Sequence, residues 1–356
     1  MIVAGGGTGG HLFPGLAVAE ALRRRGSSEV LFVGSSFGIE ARVVPAAGFG
    51  LRLLPVRAVR GRGWRGPIEF ALRTPAALLT AWRALGEFRP DVILGVGGYA
   101  SFPIVCAAWL RRIPTVLLEV NAHPGLATRT LSRLAQAVCT SFPEAEAYLP
   151  RGVARCTGTP VRELRRERPT NASNTFTLFI FGGSQGAHRI NIEAVAAVGL
   201  LRARIAGLEV IHQTGANDFE TVEAAYERAG IPAEVHAFIH DMASAYARAD
   251  LIVCRSGSTV AELTSLGKAA ILVPYPFAAD DHQRANAESL QKRGAAEMIL
   301  DRELTAELLA ERVLALAQDR GRLESIARKA RELGRPEAAQ AVLAVCDEVV
   351  QRRAHA

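Results

Sequence analysis

Long apolar runs are missing from this sequence: none approaches the roughly 18 residues needed to span a bilayer. The opening residues, Met1 to Gly5, also lack the basic segment and cleavage site of a signal peptide. We therefore expect the protein to stay in the cytoplasm. The five cysteines lie far apart, without a CxxC or His-paired spacing, so neither a disulfide framework nor a zinc site is indicated.

Lysine is scarce too, with three among 42 basic residues. Residues 1–160 carry 18 Arg against 9 acidic residues, a balance of +9, whereas the remainder carries 24 basic and 26 acidic residues, a balance of −2. Two interpretations stay open. The excess reflects Arg-rich codon usage, or the first half meets an anionic partner, either nucleic acid or an anionic membrane surface.

The 356 residues, 49% of them hydrophobic, predict a globular protein of two domains. Short apolar runs alternate with amphipathic segments, the pattern of parallel strands joined by helices. The predicted strands are Ile2–Ala4, Val30–Val33, Leu51–Val56, Val92–Leu94 and Thr115–Leu118, then Thr175–Phe181, Glu209–His212, Val235–Phe238, Leu251–Cys254 and Ala270–Val273.

A polar stretch at residues 162–174 has the composition of a linker and separates the two series of strands. We therefore expect two doubly wound α/β domains, residues 1–161 and 162–335, facing each other across a cleft at the carboxyl ends of their strands. Pro336–Arg353 has helical spacing, which does not decide whether that helix packs on the second domain or returns to the first.

Five glycines occupy six positions between Gly5 and Gly10, directly after the first strand and before a helix predicted to start near Pro14. Backbone N–H groups in such a loop, followed by a helix N-terminus, predict a cradle for an anion. The loop has no Lys and is neither a GxGxxG nor a GxxxxGK[ST] motif, which disfavours an ATPase. His11 at its rim is a candidate general base, although a lone His is often only a hydrogen-bonding cap.

Further loops repeat this pattern of strand, glycine and helix. Gly95–Ser101 predicts a second loop beside the first, and Phe181–Gly186 predicts the equivalent loop of the second domain. Glu262 lies one turn into a helix with Ser258 as a candidate N-cap, where a carboxylate could hold a ribose or only help the helix dipole. His282, Gln283 and Asn286 share a helical face, which could bind sugar hydroxyls or face solvent. Asp280-Asp281 is not a spaced DxD, so no dedicated metal site is predicted.

The sequence resembles one enzyme family throughout its length. Five strings carry the resemblance, in family order: GGGTGGHLFPGLA, GVGGYAS, FGGSQGAHRIN, CRSGSTVAEL and DDHQRANA. The family is MurG, the UDP-N-acetylglucosamine:N-acetylmuramyl-(pentapeptide)-pyrophosphoryl-undecaprenol N-acetylglucosaminyltransferases of glycosyltransferase family 28. The resemblance implies a GT-B fold and inverting transfer of GlcNAc to the C4 hydroxyl of the lipid-linked muramyl pentapeptide (lipid I). It further implies a role in peptidoglycan synthesis, cell shape and cell division.

The resemblance also implies roles for individual residues. His11 would be the base, and the donor UDP-GlcNAc would be bound by residues of both halves. Further sugar or acceptor contacts are implied at His282, Asn286, Gly97, Gly98, Tyr99 and Glu119. The family's usual Glu-Gln-Asn stands here as Glu119-Val120-Asn121, which departs at Val120. The implied donor-binding residues are Thr8, Gly9, Gly10, Asn121, Arg162, Ser184, Ile239, Ser258, Thr259, Glu262 and Gln283.

The implied partners are UDP-GlcNAc, undecaprenyl-pyrophosphoryl-MurNAc-pentapeptide, the anionic cytoplasmic face of the plasma membrane, and other cell-wall and division enzymes, but no nucleic acid. No cofactor is required by this interpretation, and a divalent ion could act only as a stimulant. Between Arg57 and Arg83, arginines lie among apolar residues, a pattern that suits peripheral docking on an anionic membrane. The alternative is that these apolar residues pack into the core of the first domain. The apolar members are Trp64, Ile68, Phe70, Leu72, Leu78, Leu79 and Trp82.

Three alternatives remain at this stage. A UDP-GlcNAc epimerase or another lipid glycosyltransferase could use the same two-domain fold, and transfer to lipid I would discriminate between them. A catalytically silent UDP-sugar-binding regulator would bind the donor without turnover. A nucleic-acid binder is weakest, because no groove-reading or base-reading motif accompanies the basic residues.

Overall fold

A computed structural model describes residues 1–26, 28–36, 38–56, 65–162 and 175–355, with backbone alone for residues 65–73. The chain forms two compact units. Unit 1 comprises Met1–Arg162 and Arg335–Ala356, and unit 2 comprises Glu163–Gly334. The predicted linker beyond Arg162, and the arginines and tryptophan predicted within residues 57–64, lie outside the described residues.

Unit 1 is a parallel seven-stranded sheet covered by helices, with strand order β3-β2-β1-β4-β5-β6-β7. Its strands are β1 Ile2–Ala4, β2 Leu31–Ser35, β3 Gly50–Leu54, β4 Ile93–Gly95, β5 Thr115–Glu119, β6 Ala137–Thr140 and β7 Ala154–Cys156. Its first helices are α1 Gly9–Arg24, α2 Glu40–Ala46, α3 Arg65–Phe88, α4 Ser101–Leu110 and α5 Leu126–Leu131, with a 3-10 helix at Pro143–Tyr148.

Unit 2 contains a parallel six-stranded sheet, with order β10-β9-β8-β11-β12-β13. The strands are β8 Phe176–Phe181, β9 Leu208–Gln213, β10 Glu234–His236, β11 Leu251–Cys254, β12 Ala269–Leu272 and β13 Glu297–Met298. The helices are α6 His188–Leu201, α7 Phe219–Arg228, α8 Met242–Arg248, α9 Thr259–Leu266, α10 His282–Lys292, α11 Ala306–Gln318 and α12 Arg320–Leu333, with 3-10 helices at Ala279–Asp281 and Asp301–Glu303.

Both sheets are doubly wound, because the strand order reverses beside the first strand of each unit. In unit 1, Ile2 of β1 pairs with Leu31 on one side and with Ile93 on the other. In unit 2, Leu251 of β11 pairs with Leu178 of β8, the strand that also pairs with β9. The carboxyl ends of the central strands therefore lie side by side, which is where open α/β sheets bind ligands.

The last helix, α13 (Ala338–Ala354), packs on unit 1. Its buried residues Val342, Leu343 and Cys346 join α1 and one face of the seven-stranded sheet in one apolar cluster. The opposite face packs against α3 and α4. Both faces of the sheet are covered, which is why its central strands β1, β4, β5 and β6 are buried along their whole length.

All ten predicted strands are confirmed to within two residues at either end. The sequence prediction missed three strands, β6, β7 and β13. Two of these lie at sheet edges, where strands of three and two residues leave no apolar run. Among the described residues no helix is long and apolar enough to cross a membrane, and no group of three or more His, Cys, Asp or Glu side chains could hold a metal ion.

One buried polar network fixes the interior of unit 2. His212 is fully buried, with its ring nitrogens 3.0 Å from Tyr226 Oη and 3.2 Å from Asn191 Oδ1. The Asn191 amide nitrogen donates to Thr214 O and to Asp218, so its oxygen faces His212. A neutral imidazole, donating from Nε2 and accepting at Nδ1, satisfies these partners. Burial lowers the pKa of His212 from 6.5 to about 3, with Asp218 opposing the shift.

This pKa shift predicts acid sensitivity. The unfolded chain protonates His212 near pH 6.5 and the folded chain only near pH 3, so stability is lost as pH falls from 6.5 toward 3. Between pH 7 and pH 5, wild type is expected to lose about 2 kcal/mol more unfolding free energy than His212→Gln. Urea unfolding of both proteins at the two pH values tests this, and equal losses would contradict the assignment.

Candidate active site

The two glycine loops of unit 1 meet at the carboxyl ends of β1 and β4. The N–H of Gly6 donates to Gly97 O at 3.4 Å. A Cβ on Gly5 would lie within 3.0 Å of Gly97 O, and one on Gly98 equally close to Gly6 O. Gly5, Gly97 and Gly98 also have positive φ. Only glycine permits backbones to approach so closely in these conformations.

The first loop ends earlier than the sequence predicted. Helix α1 begins at Gly9, five residues before Pro14, because Thr8 O accepts the N–H groups of His11 and Leu12 and so starts the first turn. Glycine is a poor helix former but is tolerated at this end. His11 therefore lies within the first turn, half-buried, with its Nδ1 2.9 Å from where a Gly97 Cβ would be.

The N–H groups of this loop divide into two sets. Those of Gly5 and Gly6 donate to Val33 O and Gly97 O, and that of Gly7 donates to the Glu40 carboxylate. In the part of the chain that the structure describes, the N–H groups of Thr8, Gly9 and Gly10 donate to no other protein group. Of the loop residues predicted to bind an anion, only these three at the start of α1 therefore keep N–H groups available for it.

Other predicted residues of unit 1 surround these loops. The Arg162 guanidinium lies 5.8 Å from the ring centroid of Phe13, a half-exposed residue of α1. Tyr99 donates its hydroxyl to Ser35 Oγ at 3.3 Å, and its ring lies against Gly7. Arg162, Tyr99 and His11 are thus brought to the same end of the sheet.

Glu119 and Asn121 follow β5 and are buried, with 2% and 8% exposure. Glu119 Oε1 accepts the backbone and side-chain N–H groups of Asn121, both at 3.0 Å, and Oε2 accepts the N–H of Gly125. Burial raises the pKa of Glu119, against hydrogen bonds from Thr128, Asn121 and Gly125 that lower it. The carboxylate therefore supports the loop from inside and faces little solvent.

In unit 2 the third loop forms a turn in which Gly186 N donates to Gly183 O, with Ser184 exposed at the tip. Gln213, absent from the sequence prediction, connects this turn to another predicted segment. Its Nε2 donates to Gly183 O at 3.1 Å, and its Oε1 accepts the N–H of Ile239 at 2.8 Å. Because Gln213 is 3% exposed, it holds Ser184 and Ile239 at a fixed spacing from within.

Helix α9 presents the next predicted group. Ser258 occupies its N-cap position, but the predicted side-chain cap is absent and the Ser258 backbone is helical. The N–H groups of Ser258 and Thr259 have no other protein partner among described residues, so they can donate hydrogen bonds to a ligand. One oxygen of Glu262 accepts the hydroxyl of buried Tyr246 at 2.7 Å, which fixes the carboxylate.

Polar side chains of α10 make several hydrogen bonds within the protein. Asn286 is 1% exposed and donates to Ser256 O at 3.0 Å, so it supports the α9 loop from below. Gln283 accepts the N–H of Tyr275 through Oε1, and its Nε2 lies beside Gly257. His282 Nδ1 lies 2.6 Å from Ala279 O, which requires the proton on Nδ1. The Nε2 amide of Gln283 donates to no other protein group among the described residues.

Comparison with known proteins follows the same division of the chain. A model of the glycosyltransferase family 28 N-terminal domain matches residues 1–140, and one of the family 28 C-terminal domain matches residues 177–342. A UDP-N-acetylglucosamine--N-acetylmuramyl-(pentapeptide) pyrophosphoryl-undecaprenol N-acetylglucosamine transferase of Anaeromyxobacter sp. (strain K) is 48% identical over 99% of this chain and 94% of its own. The chain belongs to the MurG family of glycosyltransferase family 28.

Solved structures agree with this assignment. The crystal structure of Acinetobacter baumannii MurG has a TM-score of 0.81 and 33% identity, with 98% of each chain covered. The GT-B fold predicted from the sequence is thereby confirmed. UDP-GlcNAc 2-epimerase from Neisseria meningitidis, solved with UDP-GlcNAc, has a TM-score of 0.70 and 13% identity over 99% of each chain, a likeness of fold alone.

The close approach of the loops predicts a stability difference between two glycines. Gly98→Ala places a methyl group against Gly6 O at positive φ and should lower the unfolding free energy by about 1–3 kcal/mol. Gly125→Ala is the matched control, because a Cβ there meets nothing within 4 Å. Urea unfolding compares them. Equal stability of the two variants would show that the loops can separate without cost.

Proposed function

We propose that this chain transfers GlcNAc from UDP-GlcNAc to the C4 hydroxyl of undecaprenyl-pyrophosphoryl-MurNAc-pentapeptide, giving lipid II for peptidoglycan. The observation that carries the proposal is 48% identity, over 99% of the chain, to a relative named for this transfer. The glycine loops and polar side chains at the carboxyl ends of both sheets supply chemistry suited to a nucleotide sugar. The fold shared with epimerases gives no separate support to epimerisation.

In this proposal unit 2 binds the donor. Ser184 and the turn beneath it would hold the diphosphate, with Ser258 and Thr259 N–H groups, and Glu262 would accept from the ribose. Because the Ile239 N–H is occupied by Gln213, the Ile239 carbonyl is the backbone group left for uracil, where it could accept the N3–H. Gln283 would bind a GlcNAc hydroxyl, with His282 beside it.

In unit 1 we assign His11 as the base. It would remove the proton of the C4 hydroxyl as that oxygen attacks the anomeric carbon, and UDP would leave with the bonding electron pair. A single displacement inverts the α-linked donor to a β-linkage. Thr8, Gly9 and Gly10 offer N–H groups for a phosphate oxygen, with Arg162 and the loop of Gly97, Gly98 and Tyr99 at the same end of the sheet. Asn121 would contribute from the loop after β5.

We assign the charge on departing UDP to backbone N–H groups and helix N-termini rather than to a resident metal. The groups concerned are the turn before α6 and the uncapped first turn of α9. Donors fixed before the reaction stabilise developing charge without reorganisation. This proposal adds no cofactor to the two substrates.

Transfer of labelled GlcNAc from UDP-GlcNAc to a lipid I analogue tests the function, and His11→Ala tests the base. Wild type should form the labelled lipid, and His11→Ala should fall by about 100-fold or more in kcat at saturating donor. His355→Ala, which removes an exposed imidazole at the end of α13, is the control and should keep wild-type activity. Donor binding by wild type without transfer would contradict the function, and an active His11→Ala would move the base elsewhere.

We further propose that unit 1 docks on an anionic membrane at the cytoplasmic face of the plasma membrane. Helices α3 and α4 pack together and expose Leu79, Trp82, Trp109 and Leu110, with exposures between 40% and 60%. The Arg111 guanidinium lies 4.1 Å from the Trp82 ring centroid, which places a cation within this apolar patch. Exposed aromatic and aliphatic groups beside arginine suit binding to anionic lipid. Association there with other cell-wall and division enzymes is part of the same proposal.

Vesicle binding tests the docking surface with two matched leucines. Leu110 ends α4 and is 60% exposed, whereas Leu200 near the end of α6 in unit 2 is 48% exposed. Leu110→Glu should weaken binding to vesicles containing anionic phospholipid by about 10-fold, because it adds charge and removes apolar area. Leu200→Glu should bind as wild type does. Equal binding of all three proteins would place the membrane contact elsewhere.

A further inference from the structure

Glu40 is a buried carboxylate to which the proposed reaction gives no role. It is the first residue of α2 and is 1% exposed, although ionisable side chains are rarely buried without partners. Its partners are backbone N–H groups. Ser35 N donates to Oε1 at 2.8 Å, and Gly7 N lies 3.2 Å from Oε1 and 3.0 Å from Oε2.

Glycine residues surround this carboxylate. A Cβ on Gly6 would lie 2.7 Å from Glu40 Oε1, and one on Gly34 would lie 2.6 Å from Glu40 Cγ. A Cβ on Gly38 would also lie within 3.0 Å of the carboxylate. Three backbone segments thus close on one charged group, which excludes water and strengthens its hydrogen bonds.

The hydrogen bond between Gly7 and Glu40 lies close along the chain to His11, the candidate base. Gly7 precedes Thr8, whose carbonyl accepts the N–H of His11 and starts α1. The ring of Tyr99, from the second glycine loop, lies against Gly7, and its hydroxyl donates to Ser35 Oγ. Glu40 therefore ties β2, α2 and both glycine loops to one point beneath the start of α1.

We infer that Glu40 is a positioning residue of the acceptor side, which holds the Gly5–Gly10 loop and His11 in register for transfer; this rests on the proposed function. Its charge occupies the Gly7 N–H and so directs a bound phosphate oxygen to the N–H groups of Thr8, Gly9 and Gly10. Neither oxygen of Glu40 faces solvent, so it acts through the loop and not on substrate.

Glu40→Gln is the informative variant. Glutamine has the same shape and keeps one oxygen, which accepts from Ser35 N and lies 3.2 Å from Gly7 N, but its NH₂ group replaces the oxygen that lies 3.0 Å from Gly7 N. Two donors cannot bond to each other, so the loop must shift. A shift of about 1 Å at a catalytic group costs up to about 100-fold in rate, so we expect kcat to fall by about 10- to 100-fold.

Asp250→Asn is the matched control in unit 2. The Asp250 side chain is 4% exposed, its Oδ2 accepts the N–H of Thr177 at 2.9 Å and its Oδ1 lies 3.5 Å from Arg320 Nη1, so the same carboxylate-to-amide change is made against a backbone N–H and one arginine. It should lower thermal stability but leave kcat and both KM values near wild type. The Kd for UDP-GlcNAc should stay within about twofold of wild type in Glu40→Gln, because the groups proposed to hold the uracil, the ribose and the diphosphate belong to unit 2.

Hydrogen exchange of the peptide covering residues 5–11 gives a readout independent of activity. Glu40→Gln should exchange faster there than wild type, while Asp250→Asn should not. The inference is overturned if Glu40→Gln keeps kcat within about twofold, if both variants lose kcat equally, or if exchange of this peptide is unchanged. If wild type itself transfers no GlcNAc, the proposed function fails, and the exchange result alone decides the role of Glu40 in holding the loop.

Discussion

The contact between two glycine loops at the carboxyl ends of β1 and β4 is the constraint on which the candidate site depends. Parallel pairing of β1 with β2 and β4 aligns these ends, and the absence of side chains at Gly5 and Gly98 allows the backbones to touch. The N–H groups of Gly5, Gly6 and Gly7 are taken by Val33 O, Gly97 O and the Glu40 carboxylate, which leaves the first turn of α1 to face a ligand. A side chain at either position would separate the loops and move His11.

In both units, buried polar side chains form hydrogen bonds to backbone groups of the loops at the strand ends. Loops at strand ends carry backbone groups that neither helix nor sheet satisfies, and an unsatisfied buried group is costly. In unit 1 Glu40 and Glu119 accept such N–H groups, and in unit 2 Gln213 and Asn286 bind a carbonyl on each side of the candidate donor site. Buried side chains thus hold the loops in place, while the N–H groups at the starts of the helices remain available to bind a ligand.

Sequence reasoning reached the fold and the loops because glycine clusters and buried parallel strands leave strong local patterns. The ten predicted strands and the positions of Ser184, Glu262 and Gln283 follow from such patterns. Glu40, Gln213 and Tyr246 could not be found that way, since each acts on a segment far along the chain and only its tertiary contacts reveal it. The early start of α1 at Gly9 was missed because glycine propensity argues against helix, whereas the Thr8 carbonyl starts the turn. For Glu40, the nearby glycines Gly34 and Gly38 were the only sequence signal that its side chain is closely surrounded by backbone.

We assign the donor to the carboxyl ends of the strands of the six-stranded sheet, against the segments that Gln213 connects. A crystal structure of the protein with UDP-GlcNAc tests this assignment most directly. We expect the uracil at the Ile239 carbonyl, the diphosphate at Ser184 and the start of α9, and the ribose at Glu262. Density for the nucleotide at the opposite end of the strands, or on unit 1 alone, would contradict it.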